Sequence, residues 1–145
     1  IADDIILLGH VGRFTYAKNH KKILSIFNYL AKKSEKYKLL LIGDGELRQD
    51  IINLIDKYNI RDRVVLLSNV SNVNDYLNAI DCFIFPSIFE GLGIAVVEAQ
   101  VSGLPCIISN TIPKEVEITD NIFRCDLESS DEERTYTLGR TVLRV

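Results

Sequence analysis

The chain has 145 residues, enough for one domain with a sizeable core, and 47% of them are hydrophobic. Its formal net charge of -3 argues against nucleic acid as the main partner, since such binding draws on a positive surface. No apolar run approaches membrane-spanning length, and the N-terminus shows no signal-peptide pattern.

In chain order, short apolar runs alternate with helical patterns. Residues 5–11 form a continuous apolar strand interrupted by Gly9 and followed by Gly12. Ile23, Ile26, Phe27 and Leu30 then mark a helix over 20–33, and 38–42 is a second strand stopped by Gly43-Asp44-Gly45. Leu47, Ile51, Leu54 and Ile55 give an amphipathic helix, 64–67 a third strand, and 72–79 a short helix. A strand over 82–85 is closed by Pro86, an apolar helix covers 93–102, and 104–108 is the fifth strand. Strands without polar alternation, separated by helices, indicate a parallel sheet covered on both faces. The predicted class is therefore α/β, a Rossmann-like doubly wound sheet with its ligands at the carboxyl ends of the strands. Gly12, Gly43, Ser68, Pro86 and Ser109 should then share one edge. The pattern weakens after Ile122-Phe123-Arg124; 126–133 is polar, a loop and helix start, and the last dozen residues carry no readable pattern. No internal repeat is present, and no second domain fits. With no Met in the chain, Ile1 is not an initiator residue, so a segment of a longer protein is expected.

The richest stretch for chemistry, residues 85–105, reads FPSIFEGLGIAVVEAQVSGLP. It sets Glu90 in a glycine-rich turn and Glu98, eight positions on, inside an otherwise apolar helix. A carboxylate there is costly to bury unless it finds donors, and free N–H groups at a helix start make an anion site. Together they point to a pocket for a phosphate-bearing ligand with hydroxyls. After the first strand come Gly12-Arg13-Phe14 and then Lys18-Asn19-His20 at a helix start. Arg13 offers a fork of donors and Lys18 a point charge, which suits a diphosphate. Taken alone, the two could equally be solvated surface cations. Gly43-Asp44-Gly45-Glu46 reads as a tight turn before a helix, or as part of a nucleotide pocket; Ser68 to Ser71 reads as a plain loop, or as backbone presented to a base.

Other chemistries lack their signatures. No G-x-G-x-x-G follows the first strand, no P-loop occurs, and no Asp-x-Asp is present. No residue is assigned as a metal ligand. His10 and His20 have no second ligand at metal spacing; His10 reads as a satisfied pocket or core residue, His20 as a surface residue at a helix start. Cys82, Cys106 and Cys125 have no C-x-x-C pattern and read as reduced thiols, the first two in buried strands.

GRFTYAKNH, LLLIGDGELRQDI and FIFPSIFEGLGIAVVEAQVSGLPCIIS, running in family order over residues 7–109, resemble one known family. It is the donor-binding C-terminal half of retaining GT-B glycosyltransferases of the family 4, or group 1, type. The wording GRF-x3-KNH resembles members that build surface polysaccharides. The resemblance implies that residues 1–145 form a nucleotide-sugar-binding domain. Gly12, Arg13, Lys18, Glu90, Gly91, Leu92, Gly93 and Glu98 would bind the donor, with Arg13, Lys18 and Glu90 as the catalytic set. By the same resemblance, Arg13 and Lys18 contact the diphosphate, Glu90 the sugar hydroxyls, backbone amides around Gly91 to Gly93 the sugar and phosphate, and Glu98 the ribose. The donor would be a UDP-sugar and the acceptor a glycan or lipid-linked sugar, with transfer retaining configuration and needing no metal or other cofactor. The acceptor domain, absent from this chain, would precede it, so the parent would be a hexosyltransferase and this segment alone inactive. A cytoplasmic location, peripheral to the inner face of the membrane, also follows from the resemblance. Rival readings are a nucleotide-sugar epimerase, a dinucleotide oxidoreductase, and a non-catalytic nucleotide-sugar-binding module working with a separate acceptor chain.

Overall fold

The computed structural model describes residues 5–128. Six strands form one sheet: β1 Ile6–Val11, β2 Tyr37–Ile42, β3 Val64–Leu67, β4 Cys82–Phe85, β5 Cys106–Ser109 and β6 Ile122–Cys125. Their order is β3-β2-β1-β4-β5-β6, and every neighbouring pair is parallel. Four helices connect them: α1 His20–Ala31, α2 Arg48–Lys57, α3 Val73–Leu77 and α4 Ile94–Val101. This is the Rossmann-like doubly wound sheet that the sequence predicts.

Because side chains alternate across a strand, the run Leu39-Leu40-Leu41-Ile42 serves both faces. Leu39 and Leu41 pack with Leu24 and Phe27 of α1 and Ile51 and Ile55 of α2. Leu40 and Ile42 join Phe83, Phe85, Ile108 and, from α4, Val96 and Ala99. A strand buried on both faces has no polar side to display, which is why these strands read as unbroken apolar runs.

Where expectation and structure differ, the reasons are local. Pro105 brings no N–H to the ladder, so β5 starts at Cys106 rather than at 104. β6 went unread because it is a half-buried edge strand carrying Arg124, whose guanidinium donates to the Ile112 carbonyl at 2.7 Å and pairs with Glu117 at 2.6 Å. The helix start expected within 126–133 falls largely outside the described residues, as do the final residues. His20 is a correction: it is 2% exposed, not a surface residue, because it packs edge-on to both Phe14 and His10. Cys82 and Cys106 are buried thiols, as expected.

Since all strands are parallel, Gly12, Gly43, Ser68 and Pro86, each just past a strand, and Ser109, the last residue of β5, lie along one edge. Chain connections run outward in both directions from β1 and β4. The loops after these two strands therefore diverge to opposite faces and leave a crevice between them. Next to it, Gly43 holds φ at 154°, and a Cβ there would collide with the Gly12 carbonyl oxygen. Gly43→Ala should therefore cost about 2–4 kcal/mol of stability, read as a lowered urea midpoint; an unchanged midpoint would contradict this packing.

Candidate donor-binding cleft

The loop after β1 is built to present cations. Phe14 is fully buried beneath it. Asp44 accepts from the Phe14 N–H through its carbonyl at 2.9 Å, and the Leu47 N–H donates to the Phe14 carbonyl at 3.0 Å. The Gly43–Gly45 turn thus serves to grip this loop, and it does not line the cleft. The chain then makes a 3-10 turn, Tyr16–Lys18, and enters α1 through Asn19 at φ 63°, a left-handed conformation that Asn tolerates better than most residues. The Asn19 amide donates to the Pro86 carbonyl at 3.0 Å, and the Ile88 N–H to the Ala17 carbonyl at 2.8 Å. These two bonds tie the loops after β1 and β4 side by side.

Between the loops lies a cleft of about 620 Å³ whose walls include Gly12, Arg13, Lys18, Glu90, Gly91, Leu92, Gly93 and Glu98. All eight residues expected at the donor site thus face one space. The Lys18 ammonium sits 2.7 Å from both Glu90 carboxylate oxygens, with the side chains 22% and 9% exposed. The resemblance assigns these two groups to different parts of a ligand; in the structure they hold each other. Arg13 is exposed, and its guanidinium makes no hydrogen bond among the described residues. Glu98 is exposed as well, one turn into α4 on the cleft side, so the expectation of a carboxylate costly to bury is corrected. It too is without a partner among the described residues, its charge open to the cleft.

α4 opens at Gly93 with φ 66° and no capping side chain. Its first N–H groups, on Ile94 and Ala95, have no backbone acceptor and line the cleft. Uncapped N–H groups at a helix start favour an anion. One residue that fixes this helix was not singled out from the sequence. Gln100, buried on the far side of α4, donates to the Val116 carbonyl at 2.7 Å and accepts from the Ile118 and Thr119 N–H groups at 2.9 and 3.0 Å. A lone amide among apolar helix residues was its only signal.

His10 lies behind Gly12 of the cleft wall, with His20 beside it, ring centroids 4.8 Å apart. Burial, then neighbouring His20 and Lys18, hold His10 well below the ordinary imidazole range, against the pull of its bond to Ile84. Burial and Lys18 bring His20 down to about 4. Both rings are therefore neutral at physiological pH. Burial pushes both thiols up, Cys106 to about 12 and Cys82 further, so neither offers a ready thiolate. Among the described residues no three His, Cys, Asp or Glu side chains cluster as metal ligands would. A second hollow, about 380 Å³ between α1 and α2, has apolar walls from Leu24, Leu47, Ile51 and Leu54 and contains none of the expected site residues.

A parallel sheet in this order, with a carboxylate, an ammonium and an uncapped helix start meeting where the order reverses, is a Rossmann-like α/β domain. More narrowly, the chain belongs to the glycosyl transferases group 1 family, whose family model matches residues 1–126. It is 38% identical over 117 residues to EpsF of Bacillus subtilis (strain 168), a protein that carries a glycosyltransferase name; the match covers 81% of this chain and 30% of that one. With the amylovoran biosynthesis glycosyltransferase AmsD of Erwinia amylovora it shares 31% identity over 123 residues, 83% of this chain and 34% of the relative. The chain thus spans about a third of the length of these relatives. Its fold is that of GT-B glycosyltransferases. It superposes with a TM-score of 0.87 on a mutant of S. aureus TarM, solved in complex with fondaparinux, alpha-GlcNAc-glycerol and UDP. That match has 19% identity and covers 97% of this chain and 29% of TarM.

Proposed function

We propose that this chain is the donor-binding domain of a glycosyltransferase that moves a hexose from a UDP-sugar to a glycan or lipid-linked acceptor in surface polysaccharide synthesis. An acceptor domain elsewhere in the parent protein supplies the other wall, and this segment alone is inactive. The observation that carries the reading is the single cleft in which Arg13, Lys18, Glu90 and Glu98 surround the uncapped start of α4. AmsD, named for amylovoran biosynthesis, and TarM, solved with UDP, support the glycan and the nucleotide respectively.

In this reading the diphosphate lies against the first N–H groups of α4, with Lys18 and Arg13 on its oxygens. Lys18 leaves Glu90 for the phosphate, and the freed carboxylate accepts hydrogen bonds from the sugar hydroxyls. Glu98 accepts from the ribose. As the glycosidic bond breaks, charge grows on the leaving phosphate, and two fixed cations plus a helix start stabilise it most when it is largest. The sugar passes through an oxocarbenium-like state, and the acceptor enters on the face the phosphate leaves, so configuration is retained. Two cations and a helix dipole supply the positive charge that a metal would otherwise provide, so no divalent ion is needed.

Calorimetry on the full-length protein tests this reading. UDP should bind equally well with EDTA and with magnesium, and more tightly than GDP or ADP. Binding that appears only with magnesium would contradict the proposed site, and absence of binding by all three nucleotides would overturn the donor role.

A further inference from the structure

Three buried ring nitrogens have no hydrogen-bond partner among the described residues: Nε2 of His10 and both nitrogens of His20. Buried polar atoms are seldom left unpaired, because they have given up water without replacing it. The state of His10 follows from the one bond it does make. Its Nδ1 lies 2.8 Å from the Ile84 carbonyl oxygen, which can only accept, so Nδ1 carries the proton and Nε2 holds a lone pair.

That lone pair lies behind Gly12 of the cleft wall. A Cβ placed on Gly12 would sit 3.0 Å from His10 Nε2 and 3.4 and 3.5 Å from Cδ and Cε of Lys18. A side chain on Gly12 would crowd the imidazole, while the lysine stem would meet it at ordinary contact distance. The ring is held in this orientation by Phe85, stacked at 5.0 Å, and by His20, edge-on at 4.8 Å. The Lys18 ammonium rests 5.3 Å from the centre of that same Phe85 ring. His10 Nε2 and the end of the Lys18 stem thus flank one point at Gly12, and the last bonds of Lys18 are free to re-aim its ammonium between the cleft and that point.

We propose that His10 is a positioning residue for Lys18. Its Nε2 accepts a hydrogen bond from the Lys18 ammonium once a bound diphosphate has drawn Lys18 off Glu90. The ammonium has three N–H donors; Glu90 takes two of them, and in the loaded cleft phosphate takes those above while His10 takes one below. A neutral imidazole suits the task because it accepts without adding a charge beside the phosphate. The inference rests on the diphosphate assignment made under the proposed function.

The test is a double-mutant cycle on the full-length protein, read by UDP and by uridine, which lacks the diphosphate. In His10→Asn the shorter amide keeps a donor for the Ile84 carbonyl but does not reach the Nε2 position. It should weaken UDP about fivefold to tenfold, leave uridine unchanged, and cost nothing further when Lys18 is already Ala. An equal loss of uridine, or the same loss with and without Lys18, would reduce His10 to a packing residue and overturn the proposal. Should His10→Asn not fold, nitrogen-15 spectra of the wild-type histidine rings decide. The buried ring that carries its proton on Nδ1 should show an Nε2 signal that moves on adding UDP and not uridine, and a stationary signal refutes the role. If the wild-type protein binds no nucleotide, the donor-site reading fails and takes this role with it. If UDP binds and the cycle is additive, only the role of His10 falls.

Discussion

Lys18→Ala in the full-length protein is expected to slow sugar transfer by about a hundredfold or more and to weaken UDP at the same time. Arg13→Ala should act in the same direction on both readouts, because the proposed function sets both cations against the leaving diphosphate. Glu90→Ala should behave differently. Glu90 occupies Lys18 at 2.7 Å through both carboxylate oxygens, so a diphosphate would have to compete with a carboxylate for the same ammonium. Removing Glu90 abolishes that competition. UDP affinity should then stay level or rise, while transfer from the intact donor falls steeply, because the sugar loses its partner. The measurements are UDP titration and transfer rate for each of the three variants. Equal loss of UDP affinity in all three would mean that Glu90 acts through loop structure, and its sugar-binding role would have to be dropped.

That exchange of partners was not legible in the sequence, although both residues were. Lys18 and Glu90 are 72 positions apart, and only the β1–β4 pairing in the middle of the sheet brings their loops together. The apolar runs did reveal the strands and their parallel arrangement, since a strand buried on both faces leaves no polar alternation to misread. An edge strand such as β6 lacks that advantage. His20 shows the complementary failure. It is a polar residue at a helix start, and local pattern suggests a surface position. Edge-on packing against Phe14 and His10 instead draws its ring into the core, where His10 was already expected. Glu98 erred the other way: the apolar residues around it suggested burial, but α4 turns that position to the open cleft and buries Val96, Ala99 and Gln100 instead.

Because Glu98 is exposed and engages no neighbour among the described residues, its replacement separates binding from stability with little ambiguity. Gln has almost the same shape and helix propensity, so Glu98→Gln should leave the unfolding midpoint where it is, as surface substitutions usually do. Hydrogen bonds to a charged acceptor contribute about 1.5–3 kcal/mol each. Two ribose hydroxyls on one carboxylate therefore predict a loss of UDP affinity of about tenfold or more. The partner can be identified as well as the loss. A UDP analogue lacking both ribose hydroxyls should bind wild type and Glu98→Gln equally weakly, since neither complex then contains the bonds that the substitution removes. If the variant still loses affinity for that analogue, Glu98 acts on the nucleotide by some contact other than the ribose hydroxyls, and the ribose assignment falls. Neutralising a carboxylate near phosphate should by charge alone strengthen binding, so unchanged or tighter UDP binding would rule out the ribose contact.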